Sequence, residues 1–253
     1  MKIIILAAGL GSRLMPHTIN KPKCMVDLYG KPLLHHQLEV MEDLEIKKEN
    51  IAVVGGYLHN KIDAPNIQQY INNKFADTNM VETLFCAEDF MSDEEDLIIS
   101  YGDIIFEKSV LRKLLTTKGD DLVLSADLYW HKLWSLRMEN PLNDVETFIM
   151  NKDGFVLELG QKPTSMNEVQ AQYIGLIKVK AKKVKDLKLF YHSLDKTKKY
   201  ENRSFEKMYM TSFIQLLINA GWKVKPSLIK NGWIELDTIE DLKLYNNKKL
   251  LNF

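Results

Sequence analysis

Cysteine is scarce in this 253-residue chain: only Cys24 and Cys86 occur, at a spacing that matches no metal-binding pattern. That excludes a disulfide framework and a zinc–cysteine site, and it fits a reduced, cytoplasmic setting. Cys24, beside Lys23, reads as a small buried filler rather than a nucleophile. Net charge is missing too. The 34 basic residues balance 34 acidic ones, so nothing favours wrapping nucleic acid or lying on an anionic membrane. No apolar run approaches the length of a membrane span, and the apolar start Met1–Leu10 gives way to Gly11 and Arg13 well short of a secretion core. Internal repeats, low-complexity tracts and obvious linkers are absent as well.

Two common phosphate-binding patterns are begun but not completed. Gly9 and Gly11 open a G-x-G-x-x-G, yet position 14 is Leu, and Pro16 and Pro22 keep the segment irregular to about Lys31. No G-K-[ST] follows at the spacing of a Walker loop. What stands there instead is the apolar run Ile3–Ala8, then Gly9-Leu10-Gly11-Ser12-Arg13, then Lys21-Pro22-Lys23. Ile3–Leu6 reads as a buried strand. The glycines let amide N–H groups turn toward an anion, and Arg13, Lys21 and Lys23 bring positive charge to the same loop. Two prolines stiffen it. This pattern predicts a triphosphate cradle.

Strand-like and helix-like segments alternate, which predicts an α/β fold with a mostly parallel, Rossmann-like central sheet flanked by helices. Strands are expected at Ile51–Val54, Leu97–Ser100 and Leu122–Ala126, and helices at Pro32–Leu44 and Lys108–Leu115. Beyond Leu128 come Glu146–Met150 and Val156–Leu159, joined by the turn Lys152-Asp153-Gly154, then the strand Ala171–Val179. Helices are expected at Ala181–Leu194 and Ser204–Ala220. The lysine-dense stretch Lys178–Lys199 reads as the solvated face of a helix whose apolar face is Val184, Leu187, Tyr191 and Leu194.

Two aspartates stand out as ligands for Mg²⁺, which takes one or two carboxylates plus phosphate oxygens. Asp103 follows a buried strand and a glycine, at the carboxyl end where open α/β sheets place ligands. Asp237 precedes a helix whose capping box, Thr238 with Asp241, leaves Asp237 free for another task.

The run L-A-A-G-x-G-S-R-L-x-P-x-T-x-x-x-P-K, from Leu6 to Lys23, resembles the opening of the sugar-nucleotidyltransferase superfamily. The resemblance implies one nucleotidyltransferase domain over 1–253. A nucleotide and metal part (about 1–127 with 232–253) would carry an acceptor-binding insert (about 128–231). It implies that Leu6, Ala7, Ala8, Gly9, Gly11, Ser12, Arg13, Lys23, Asn79 and Tyr101 hold the nucleotide. Arg13 and Lys23 would act on the triphosphate, and Asp103 and Asp237 on Mg²⁺. Gly160-Gln161-Lys162-Pro163 resembles the element whose lysine binds the acceptor's phosphate, which implies that role for Lys162. Gln172-Tyr173-Ile174-Gly175 resembles the strand lining the acceptor pocket.

A finer resemblance, to the phosphocholine-cytidylyltransferase-like branch, rests on Asn79–Leu84 and on 127–146. It implies CTP as donor, a small phosphorylated non-sugar acceptor and a role in surface polysaccharide modification. Trp130, Trp134 and Tyr173 are then either an aromatic wall for a cationic head group or core residues. Arg137 and Glu146 would suit an acceptor bearing both carboxylate and amine, such as phosphoglutamine, whereas phosphocholine offers Arg137 nothing. The rivals are an NDP-sugar pyrophosphorylase using UTP or dTTP, and a catalytically silent regulatory subunit. The joint presence of Arg13, Lys23, Asp103 and Asp237 favours an active enzyme.

Overall fold

Alternate residues of the first strand face opposite sides of the molecule. In the computed structural model, which describes residues 1–251, Ile3 and Ile5 of β1 (Lys2–Ala7) join one apolar core, while Ile4 and Leu6 join another. A strand buried on both faces belongs at the middle of a layered α/β sheet. Each of these isoleucines is fully buried, which stabilises the fold by about 1.5–3 kcal/mol per side chain.

The sheet comprises β1, β2 (Ile51–Gly55), β3 (Gln68–Ile71), β4 (Leu97–Tyr101), β5 (Leu122–Asp127), β6 (Gln172–Val179) and β7 (Val224–Ile229). Their spatial order is β7-β5-β6-β4-β1-β2-β3. All neighbours run parallel except β6, which is antiparallel to both β4 and β5. Helices α1 (Leu33–Asp43), α3 (Lys108–Thr116), α4 (Trp130–Arg137) and α7 (Ile239–Asn247) cover one face. The other is covered by α2 (Met80–Phe85), α5 (Ala181–Ser193) and α6 (Met210–Asn219). The expected mostly parallel α/β sheet is what the chain forms.

From β1 the chain runs outward through β2 and β3, then returns to β1's other side as β4. That reversal opens a crevice at the carboxyl ends of β1 and β4, the general ligand position of such sheets. A two-stranded ribbon, Trp233–Glu235 antiparallel to Ile104–Phe106, folds over the same end.

Some elements differ from expectation. The helix expected over Ser204–Ala220 splits into a short turn at Phe205–Lys207 and α6. Tyr209 is extended between them, and the Glu206 carbonyl accepts from Asn79 N at 2.9 Å instead of continuing the helix. Strand β7, not expected from the sequence, contains Pro226. As an edge strand it has only β5 as a neighbour, so the missing N–H is tolerated. On α5, Val184, Leu187 and Tyr191 face the core as expected. Three of the nine lysines in 178–199 are ion-paired: Lys180 with Asp96, Lys183 with Asp186 and Lys188 with Asp93. No helix among the described residues is long and apolar enough to cross a membrane.

Candidate active site

The loop after β1 turns at Gly11, whose φ of 65° is left-handed. A Cβ there would lie 3.0 Å from both Lys23 Cβ and Thr18 Cγ2, so glycine is needed for conformation and for closeness alike. Thr18 Oγ1 donates to the Gly11 carbonyl at 2.9 Å and holds the turn shut. The chain returns through Pro22 to a single 3₁₀ turn, Lys23–Met25, which aims Lys23 back across the crevice.

Asp103 is presented by the turn between β4 and Ile104–Phe106. Buried Gln37 of α1 bolts that turn: its amide donates to the Tyr101 carbonyl at 2.8 Å and the Ile104 carbonyl at 2.7 Å, and its oxygen accepts from Ser100 Oγ. Gly102 N donates to the Leu6 carbonyl at 2.8 Å, and a Cβ on Gly102 would stand 2.7 Å from that oxygen. Leu236 N donates to the Asp103 carbonyl at 3.0 Å, so the ribbon brings Asp237 beside Asp103.

Lys23 lies between them, its Nζ 2.7 Å from Asp103 Oδ2 and 2.7 Å from Asp237 Oδ1. Arg13, well exposed, reaches 3.2 Å from the same Asp237 oxygen. Burial alone would lower the Lys23 pKa, but Asp103 and Asp237 together raise it well above the ordinary lysine value. Burial likewise pushes Asp237 up, and Lys23, Arg13 and Arg137 more than offset it, leaving the carboxyl below its usual range. Lys23 and Asp237 therefore hold opposite charges against each other at neutral pH. Burial pushes the Cys24 thiol up to about 12, so Cys24 is the inert filler its position suggested.

Asp237 is braced from behind. The expected capping box forms between Thr238 and Asp241, and Asp241 Oδ2 also accepts from Asp237 N at 3.1 Å. Arg137, at the end of α4, donates to Asp241 at 2.8 and 3.1 Å, bonds Glu235, and lies 3.6 Å from Asp237 Oδ2.

Two cavities meet at this cluster. The first, a cleft of about 580 Å³, is walled by Leu6, Ala7, Ala8 and Gly9, by Lys23 and Asp103, by Asn79 and neighbours on α2, and by Tyr101. Gly11, Ser12 and Arg13 stand outside that wall on the loop. The second, about 750 Å³, shares Tyr101 and Met80 with the first and reaches Asp237. Trp134, Tyr173 and Tyr209 line it with four carboxylates, Asp144, Glu146, Glu235 and Asp237, and among the described residues its wall contains no lysine or arginine. Burial, then the nearby Glu201 carboxylate, pushes Glu146 up to about 7.

The structure does not bring every expected acceptor residue to this second cavity. Arg137 does not line it, because its guanidinium is spent on Asp241 and Glu235, with only 4% of the side chain exposed. Trp130 is core, its Nε1 donating to the Val169 carbonyl. Lys162 is exposed and donates to the Leu142 carbonyl. Trp134, Glu146 and Tyr173 do meet there. Gln37, Asp144, Glu201 and Tyr209 were not anticipated; a glutamine on the apolar face of α1 was the one visible hint among them.

Asp103 and Asp237 suit a hard divalent cation, since Mg²⁺ takes one or two carboxylates and fills the rest of its shell with phosphate oxygens and water. No group of three or more His, Cys, Asp or Glu side chains forms a self-sufficient metal cage among the described residues.

Cationic groups beside one cavity and a second cavity opening onto the same carboxylates are the layout of an enzyme that joins a nucleotide to a second substrate, a nucleotidyltransferase. Residues 3–138 match the MobA-like NTP transferase domain, and the chain belongs to that family. It is 43% identical to a CTP:phosphoglutamine cytidylyltransferase of Campylobacter jejuni, over 98% of this chain and 100% of that protein. A choline-phosphate cytidylyltransferase of Streptococcus pneumoniae is 34% identical over 46% of this chain and 50% of its own length. Among solved structures, a CTP:phosphocholine cytidylyltransferase from Streptococcus pneumoniae superposes with a TM-score of 0.73 at 20% identity, covering 97% of each chain. An inositol-1-phosphate CTP transferase from T. maritima gives 0.71 at 16%, covering 100% of this chain and 98% of that one.

Proposed function

We propose that this protein transfers CMP from CTP to a small phosphorylated acceptor bearing an ammonium group, phosphoglutamine above others, and releases pyrophosphate. The observation that carries this reading is the meeting of two unlike cavities at Lys23, Asp103 and Asp237. CTP as donor is supported by the full-length similarity to the Campylobacter jejuni protein. An ammonium-bearing acceptor is supported by the acidic and aromatic wall of the second cavity. Phosphoglutamine within that class is supported by the similarity to the Campylobacter jejuni protein, not by the wall, which offers its carboxylate no lysine or arginine among the described residues. Such a wall attracts an ammonium through its carboxylates and ring faces, and it offers a neutral sugar no comparable charge.

The acceptor then has one orientation. Its phosphate points toward Lys23 and Arg13, and its ammonium toward Glu146 and Asp144. An acceptor phosphate oxygen attacks the α-phosphorus, the bond to the β-phosphate oxygen breaks, and pyrophosphate carries the electron pair away. The attacking oxygen is already ionised near neutrality, so the chain need not supply a base. Lys23 and Arg13 neutralise the phosphates, and the walls of the two cavities hold the reacting groups in line. Asp103 and Asp237 would hold Mg²⁺, which when bound supplies charge neutralisation on the phosphate oxygens. The reduced cysteines suit a cytoplasmic reaction, and the product would feed modification of a surface polysaccharide.

The test is pyrophosphate release with CTP, UTP, dTTP, ATP and GTP against phosphoglutamine, phosphocholine, 2-aminoethylphosphonate and glucose 1-phosphate. Release with CTP and phosphoglutamine is expected. Release confined to UTP or dTTP with glucose 1-phosphate would overturn the reading in favour of a pyrophosphorylase.

A further inference from the structure

Lys23 has two sets of possible partners and cannot hold both. Its ammonium spans the gap between Asp103 Oδ2 and Asp237 Oδ1, 2.7 Å from each. A Mg²⁺ ion shared by those two oxygens would need to stand about 2.0–2.1 Å from them, which places it against the ammonium. Two cations at such range repel strongly even where the dielectric is high. The carboxylate pair therefore takes Lys23 or a divalent cation, one at a time.

A nucleoside triphosphate supplies the alternative partner, since its phosphates would compete with the carboxylates for Lys23 and for Arg13, which also rests on Asp237 Oδ1. The two oxygens of Asp237 are held separately. Lys23 and Arg13 engage Oδ1, whereas Arg137 lies 3.6 Å from Oδ2 and Asp241 fixes the backbone N–H. Departure of Lys23 and Arg13 thus frees one oxygen while the other stays braced. Lys23 sits on a turn whose backbone is fixed by Met25 N to Pro22 O and Val26 N to Lys23 O bonds, so the exchange needs only its four side-chain torsions.

We propose that Lys23 is a displaceable guard of the Asp103–Asp237 pair: it leaves the carboxylates for the incoming phosphates, and its departure admits the divalent cation. The inference rests on the reading of those aspartates as cation ligands. It makes cation binding at this pair dependent on nucleotide and rules out the cation as the first ligand to bind there.

Mn²⁺ serves as the probe, followed by the loss of its free electron-paramagnetic-resonance signal and by water-proton relaxation. The intact protein alone should show no saturable Mn²⁺ site at this pair. Lys23→Met should bind one Mn²⁺ at least ~10-fold more tightly without nucleotide, and adding Asp103→Asn should remove that gain. In the wild type, enhanced relaxation from protein-bound Mn²⁺ should appear only once CTP is added. Because CTP can itself carry Mn²⁺ in, the gain without nucleotide in the Lys23 variant is the deciding result, with Lys23→Gln as the second variant should Lys23→Met fold poorly. Wild-type binding of Mn²⁺ alone, as tight as in Lys23→Met and lost in Asp103→Asn, would overturn the guard while leaving the cation reading intact. Loss of the site from every form, CTP included, would overturn the cation reading and the guard with it.

Discussion

Arg137 and Asp241 stand 104 positions apart in the chain and are joined by two bonds, Nε to Oδ1 at 2.8 Å and Nη2 to Oδ2 at 3.1 Å. This fork ties the end of α4 to the first turn of α7 and sets Asp237 between them. Removing one partner of such a buried pair leaves a charge uncompensated, which costs about 3–5 kcal/mol. Arg137→Met should therefore lower stability in urea by that order. If Asp237 holds Mg²⁺ as proposed, the substitution should also reduce kcat roughly 10- to 100-fold through loss of the brace behind that carboxylate, with acceptor KM little changed. A large rise in acceptor KM at unchanged stability would instead make Arg137 a direct acceptor ligand.

Lys23→Ala and Asp103→Ala should each reduce turnover by at least ~10²–10³. Circular dichroism should remain native, because neither side chain builds the apolar core. Substantial residual activity in either variant would remove that residue from the chemistry.

Glu146 should govern the pH dependence of acceptor binding. Burial and the Glu201 carboxylate raise its pKa to about 7, and the carboxylate form that attracts an ammonium exists above that value. Acceptor KM should therefore rise as pH falls below about 7 and level off above it. Glu146→Gln should raise KM at pH 8 and shrink the pH dependence, leaving the part due to Glu235, which burial also pushes up to about 7. An unchanged profile in that variant would place the titrating group elsewhere.

Gly175 interrupts β6 where the register with β5 shifts, between Tyr173 and Ile177. Its φ is +79°, and a Cβ would stand 2.4 Å from Tyr101 Cδ2. Gly175→Ala should cost about 2–4 kcal/mol and displace the tyrosine shared by both cavities. Gly30 has the same φ with nothing within 4 Å, so Gly30→Ala controls for backbone strain alone. Thermal melts of the pair isolate the clash with Tyr101; equal losses would show that the ring yields freely.

The nucleotide side of the site was legible because its signals are local. Gly11, Lys23 and the strand before them lie within a few turns of chain, and Asp103 follows its own strand directly. Thr238 and Asp241 declared a cap from spacing alone, which freed Asp237 for another reading. The acceptor side was less legible because its partners are distant in sequence. Arg137 read as a free cation, since nothing nearby reveals that Asp241 will meet it. Trp130, Leu133 and Trp134 carry helical spacing, and the first turned out to be core rather than wall. Strand β7 was hidden by Lys225 and Pro226, whose tolerance depends on an edge position no local pattern discloses.

Strand β6 runs against its neighbours, so its first residues lie at the rim beside the second cavity: Gln172 pairs with Asp127 at the end of β5, and Tyr173 with Ala126. Everything between those paired residues, 128–171, leaves and rejoins the sheet at one rim. That excursion brings only Trp134, Asp144 and Glu146 to the second cavity, whereas Tyr173, Tyr209 and Glu235 stay with the frame. Grafting 128–171 alone from a relative with a different acceptor should therefore weaken use of the original acceptor without installing the new one, while the hold on the nucleotide stays as it was.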